Sequence, residues 1–247
     1  MRRFALILVV FFSMAVQVSG QASAQDEGKM IAVSTAIDTS MDAYIVGPEN
    51  ANKAILLLHD RWGLNDTVRG WADRFADKGY LVLAIDVFDG RSSNEMGFAT
   101  EIMNSVDPEW IKADVVAGLK HLQAHNRKVV TVGAGLGGWQ SFQAALLEPD
   151  LVDATIVLYG EMTADVELAR GLKAPVLGIF AKQDIKIAQL DVDAYEYALR
   201  KSLTPYRIYS LAADHGFLDP RYPTYNKSLA DDAWLKVDRF LGSLAGG

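Results

Sequence analysis

The stretch Gly133-Ala-Gly-Leu-Gly-Gly138 admits two chemistries. Read as G-x-G-x-x-G between a strand and a helix, it would cradle a pyrophosphate at the helix N-terminus, with Glu161, 23 residues after Gly138, as the acid for a ribose hydroxyl. Read as a nucleophile elbow, G-x-Nuc-x-G, it would present a side chain at the tip of a sharp strand-to-helix turn, and the nucleophile position is Gly135. The two readings make different demands on the rest of the chain. An elbow requires an acid after a later strand and a histidine after a still later one, so that the acid orients the imidazole and the imidazole takes the proton. Asp184 follows the apolar run Pro175 to Ala181, and His215 follows the run Tyr206 to Leu211, in that order. A dinucleotide fold requires neither and usually carries its glycines after its first strand, so the order of residues favours the elbow.

These placements depend on the runs being strands. Ile31 to Ala36 and Ala43 to Val46 have the pattern of an opening strand pair, and Ala54 to Leu58, Tyr80 to Ile85, Lys128 to Val132, Ala154 to Leu158, Pro175 to Ala181 and Tyr206 to Leu211 are apolar almost throughout. Between them, Val68, Trp71, Ala72, Phe75 and Ala76 fall at helical spacing and stop at Gly79. Ile111, Val115, Leu119 and Leu122 mark a second helix, and further helices are expected over Gly138 to Glu148, Leu190 to Lys201 and Ser228 to Leu241. Strands apolar on both faces, alternating with amphipathic helices, predict an α/β fold with a mostly parallel sheet covered on both sides. With no repeat or linker, residues 25–247 read as a single domain. Ligands of such sheets sit outside the carboxyl ends of the strands. That selects His59-Asp60-Arg61-Trp62, Asp86 to Arg91, Gly133 to Gly138, Gly160-Glu161, Lys182 to Asp184 and Asp214-His215.

Composition narrows the class of protein. Of 247 residues, 50% are apolar, 22% are charged and none is cysteine, which excludes a disordered chain, a disulfide scaffold and thiolate metal sites. The net charge is −7, and the two arginines among the first 24 residues leave −9 on the remainder, with basic residues scattered among acidic ones. Nucleic acid is therefore not an expected partner. Met1-Arg2-Arg3, the apolar run Phe4 to Val16 and Ala22-Ser23-Ala24 have the layout of a signal peptide cleaved after Ala24. The run is short for a bilayer core, which takes roughly 20 residues, so no stable membrane anchor is expected after cleavage. The expected location is exported, periplasmic or extracellular, where NAD and ATP are not normally available.

Several blocks together are specific. Ala54-Ile-Leu-Leu-Leu-His-Asp-Arg-Trp-Gly-Leu-Asn-Asp66, Lys78 to Asp86, Val132 to Gly138, Ala174 to Phe180 with Asp184, and Asp214-His-Gly-Phe-Leu-Asp-Pro220 with Tyr225-Asn226 and Ala233-Trp234 resemble successive blocks of the dienelactone hydrolase family, over roughly residues 30–245. The resemblance implies an α/β-hydrolase fold, small lactones or carboxylic esters as substrates, a Cys-His-Asp triad and no cofactor. It assigns His215 as general base, Asp184 as the acid behind it, and the amides of Leu136 and Arg61 as the oxyanion hole. Asp60 stands where members usually have a Glu close to the nucleophile, and Arg91 resembles an arginine that helps to hold a substrate carboxylate. Asp219 stands near where members can carry another substrate-binding Arg, with Arg221 two residues on as its replacement.

The departure is at the family's cysteine position, Gly135, which has no side chain to attack a carbonyl. Glycine accepts a strained turn that costs other residues about 1–3 kcal/mol, while removal of a triad nucleophile typically loses about 10⁶-fold in turnover. Three readings follow: a family hydrolase with little covalent turnover, direct hydrolysis by water activated at His215, and a non-catalytic binding protein for a small carboxylate or carbonyl ligand. His59 and Trp62 are expected to line the mouth of the site, with Trp139 beside them. Ser141, inside the following helix, is not expected to replace the nucleophile. His121 and His125 have i, i+4 spacing but no third ligand nearby, so no metal is expected.

Overall fold

Strands that are apolar on both faces need cover on both sides, and the chain supplies it with helices placed between them. A computed structural model describes residues 27–36, 39–124 and 126–244; the expected signal peptide (1–24) and His125 lie outside these. The strands are β1 (Lys29–Ser34), β2 (Ser40–Val46), β3 (Lys53–Leu58), β4 (Leu81–Ile85), β5 (Lys128–Ala134), β6 (Ala154–Leu158), β7 (Val176–Ala181) and β8 (Tyr206–Leu211). The helices are α1 (Asp66–Ala76), α2 (Met96–Ser105), α3 (Pro108–Gln123), α4 (Leu136–Leu147), α5 (Val166–Ala169), α6 (Gln189–Ser202) and α7 (Lys227–Leu244).

The eight strands form one sheet in the order β1-β2-β4-β3-β5-β6-β7-β8. The pairs β1/β2 and β2/β4 are antiparallel and all others are parallel. Alternation along β3 feeds two cores, because successive side chains point to opposite faces. Leu56 and Leu58 pack in the core that includes Phe142 of α4 and Leu119 of α3, whereas Ile55 and Leu57 pack in the one that includes Phe75 of α1 and Trp234 of α7. The parallel strands all end on one side of the molecule, so the loops after β3, β4, β5, β6, β7 and β8 meet there.

Two helices were not expected from the sequence. In α2, Gly97 interrupts the run, only Ala99 and Ile102 are buried, and the N-cap residue Glu95 makes no side-chain capping bond, so the apolar periodicity is weak. The single turn of α5 is too short to show any periodicity; Asp165 caps it by accepting from the amides of Glu167 and Leu168. Among the described residues no helix is long and apolar enough to cross a membrane.

A half-buried carboxylate on α3 puts a pH signature on the fold. Burial, together with the negative charges of Asp89 and Asp86, pushes the Asp114 carboxyl up to about 6. The folded chain therefore holds this proton more tightly than the unfolded chain, and the ionised group opposes folding increasingly as pH rises through that value. Asp114→Asn is expected to raise the unfolding free energy at neutral pH by about 1 kcal/mol, after allowance for solvent screening of a partly exposed group. Denaturant unfolding across pH checks this: the gain disappears below about pH 4, where the carboxyl is protonated in both states.

Candidate active site

The turn between β5 and α4 is the elbow. Gly135 has φ 54° and ψ −117°, a conformation that L side chains rarely adopt, and its N–H donates to the Leu158 carbonyl at 2.9 Å. The first turn of α4 lies against the end of β3 so closely that a Cβ on Gly137 would stand 2.1 Å from the Leu58 carbonyl oxygen. These glycines therefore set a close helix-to-strand approach. It carries the Leu136 amide to the loop after β3.

There the amide meets Asp60. The Leu136 N–H donates to Asp60 Oδ1 at 3.0 Å, the Arg61 N–H donates to the same oxygen at 2.7 Å, and the Tyr222 hydroxyl donates to Oδ2 at 2.7 Å. A Cβ built on Gly135 would lie 2.5 Å from Oδ1 and 2.7 Å from Cγ. The two amides expected to form the oxyanion hole thus converge on one oxygen, and that oxygen belongs to the protein. Asp60 fills both the hole and the volume of the side chain that residue 135 lacks. It is 4% exposed, and its charge sits at the N-terminus of α4, where the helix dipole favours an anion.

His215, after β8, holds its Nδ1 2.7 Å from Asp184 Oδ2. A carboxylate can only accept, so Nδ1 carries the proton and the neutral ring leaves the Nε2 lone pair free. Nε2 is buried and has no hydrogen-bond partner. Asp184 in turn accepts from the amides of Lys186 and Ile187 at 2.8 and 3.2 Å. Burial alone would raise its carboxyl, but the His215 hydrogen bond and these amides outweigh it and hold the group below its ordinary value. The pair is thus built to keep the carboxylate ionised and the imidazole in one tautomer.

Three residues that sequence reasoning did not single out complete the arrangement. Tyr159, directly after β6, is a non-glycine residue at φ 39°, 1% exposed, with a hydroxyl that has no partner. Its ring stands edge-on to His215 at 5.1 Å between centroids, and its hydroxyl is driven well up by burial and by the charges of Asp60 and Asp219. The Tyr222 ring also stands edge-on to that of His215, at 5.8 Å between centroids, while its hydroxyl bonds Asp60. Lys186 is at the rim, where burial and the charge of Arg61 lower its ammonium against the pull of Asp60 and Asp184. Backbone strain at a non-glycine residue is common at active sites. A tyrosine at the last position of an apolar run carries no such signal in sequence.

Other expected site residues lie elsewhere. His59 is turned inward: it is 1% exposed, its Nδ1 donates to the Asp60 carbonyl at 2.8 Å, and its Nε2 accepts from the Val87 amide at 3.2 Å. It pins the β3 loop to the β4 loop, so its expected place at the mouth is corrected to a support behind it. Trp62 is also buried, edge-on to Tyr222 at 5.4 Å and beneath the Arg221 guanidinium at 5.7 Å. Arg91 spends Nε on the Phe88 carbonyl and Nη1 on Ser105 Oγ, with no hydrogen bond to Asp60 or His215. Arg221 is paired with Asp219 in a two-pronged contact, which occupies it where a substrate carboxylate was expected. Ser141 is buried in a hydroxyl cluster with Thr131 and Thr155, and Glu161 is exposed. Trp139 is 38% exposed. Among the described residues no group of three or more His, Asp or Glu side chains is arranged to hold a metal ion.

Comparison with known proteins shows the family and the fold. A "Putative carboxymethylenebutenolidase" of Saccharolobus solfataricus is 28% identical over 241 residues, covering 81% of this chain and 92% of that protein. Protein usf of Aquifex pyrophilus is 26% identical over 204 residues, covering 77% and 88%. A solved dienelactone hydrolase-like promiscuous phosphotriesterase from metagenomic libraries superposes with a TM-score of 0.79 at 18% identity, over 89% of this chain and 99% of that one, a likeness of fold. The model of the dienelactone hydrolase family matches residues 41–245, a stretch that leaves out β1 but takes in strands β3 to β8, the elbow and the Asp184–His215 pair, and the chain belongs to that family.

Proposed function

We propose that this chain, exported by a cleaved N-terminal signal, hydrolyses small lactones or carboxylic esters by direct attack of water, without an acyl-enzyme. The observation that carries this reading is the free, buried Nε2 of His215, held in one tautomer by Asp184, with the His215 ring 5.8 Å from that of Tyr222, whose hydroxyl holds the Asp60 carboxylate against the glycine where the family has its nucleophile. When a substrate carbonyl takes the amides of Leu136 and Arg61, Asp60 withdraws and a water occupies the space beside Gly135. Nε2 accepts the water's proton as its oxygen bonds to the carbonyl carbon. The imidazolium, stabilised by Asp184, then returns that proton to the alkoxide as the tetrahedral intermediate collapses, leaving an alcohol and a carboxylic acid that ionises by losing its proton to solvent. General-base assistance of this kind contributes about 10²–10⁴-fold, far less than a complete triad.

The mature protein, residues 25–247, is expected to hydrolyse p-nitrophenyl acetate and a small lactone slowly, and His215→Ala to lower the rate about 10²-fold or to the buffer background. The filled oxyanion hole favours a second reading, a non-catalytic binding protein for a small carboxylate or carbonyl ligand. The same assay separates the two, since activity that His215→Ala leaves untouched removes the catalytic reading.

A further inference from the structure

We propose that the oxyanion hole of this chain is a carboxylate-binding cradle for which Asp60 is the resident ligand, and that a small external monocarboxylate takes the same three donors when Asp60 is absent. The inference deepens the functional reading above, because it rests on this cleft being where ligands bind.

The cradle is built for an anion with two oxygens. One oxygen of Asp60 receives two backbone amides, those of Leu136 and Arg61, and the other receives the Tyr222 hydroxyl. Amide donors fixed by the elbow and the β3 loop do not need to reorganise around a charge, and hydrogen bonds to a charged acceptor are the strong ones. The Arg61 guanidinium stands with Nε 4.0 Å from Asp60 Oδ1, and its Nε has no hydrogen-bond partner. The carboxylate reaches this position only because residue 135 is glycine, since a Cβ there would overlap it. A carbonyl substrate must displace a bound anion from this hole, so a hydrolytic product, itself a carboxylate, is a natural competitor for it.

Size makes the proposal testable. Asp60→Ala deletes a group the size of formate, and Asp60→Gly deletes one the size of acetate. Either anion has so few heavy atoms that its dissociation constant is expected to be on the order of a millimolar or weaker. Thermal unfolding of the mature protein at constant ionic strength, with sodium formate or sodium acetate exchanged for sodium chloride, reads the binding. At about 100-fold excess over the dissociation constant, Asp60→Ala is expected to gain about 5–10 °C with formate and less with acetate, and Asp60→Gly to gain a similar shift with acetate. The wild type is expected to shift with neither. Adding Tyr222→Phe to Asp60→Ala should weaken formate binding at least tenfold.

Folded variants that show no more shift than the wild type overturn the proposal. So does failure of both variants to fold in 200 mM of the matching anion, because a carboxylate cradle would be refilled. Repeating the titration in a His215→Ala background separates this proposal from the catalytic one: binding persists there whether or not the chain turns over esters.

Discussion

Gly135→Cys alone is expected to leave esterase activity within a few-fold of the wild-type level, whereas Gly135→Cys together with Asp60→Ala raises it by about 10³-fold or more. The reason is the shared volume. A Cβ at position 135 would lie 2.5–2.8 Å from all three atoms of the Asp60 carboxyl group, closer than real contacts allow. Asp60 is held by three donors, two of them backbone amides, so it does not yield without loss of charge-assisted hydrogen bonds worth about 1.5–3 kcal/mol each. Even if the thiol found room, the adjacent carboxylate would raise its pKa and keep it from the reactive thiolate form. Truncating Asp60 removes the overlap, empties the oxyanion hole and leaves His215 and Asp184 as they stand. A complete triad nucleophile is worth about 10⁶-fold, and a grafted one is expected to recover part of that. Stopped-flow assay with p-nitrophenyl acetate, with mass spectrometry of the acetylated protein, checks this. A single variant as active as the double would show that Asp60 offers no resistance.

Gly137→Ala is expected to destabilise the fold by about 3 kcal/mol or more, while Gly70→Ala stabilises it by about 0.5–1 kcal/mol. Both glycines lie within helices, α4 and α1, and helix propensity favours alanine at each. Their surroundings differ in sign. Gly70 is exposed, with nothing within 4 Å of an added Cβ. At Gly137 the added carbon would meet the Leu58 carbonyl oxygen at 2.1 Å and the His59 carbonyl oxygen at 2.7 Å. Both are backbone atoms of β3 and its loop, so no rotamer change relieves the overlap and α4 must lift away. That movement would also draw the Leu136 amide off Asp60. Urea unfolding midpoints, with unchanged slopes, measure both effects. An unshifted midpoint for Gly137→Ala would mean that α4 and β3 do not approach this closely.

The alternation of apolar runs and helical stripes was sufficient to read the mostly parallel sheet and its helical cover, because burial on both faces leaves the central strands apolar almost throughout, with Thr131 and Thr155 admitted only by bonding each other and Ser141. The helices at Met96–Ser105 and Val166–Ala169 escaped the same reading, one because a glycine and a thin buried face blur its period, the other because one turn has no period. The pairing of Asp184 with His215 was legible from chain order, since successive strand ends in a parallel sheet open on the same side. The inward turn of His59 was not, because its two partners, the Asp60 carbonyl and the Val87 amide, belong to backbone that only the folded loops bring together.

By itself, the sequence determined the fold class, the position of the elbow and the absence of a side chain at its tip, because each depends on residue type or on local spacing. What occupies that empty volume depended on the tertiary structure. The Asp60-Arg61 pair, Leu136 and Tyr222 are far apart in the chain, and they meet because the glycines of α4 let it settle against β3, bringing an amide within reach of a carboxylate that glycine at position 135 leaves room for.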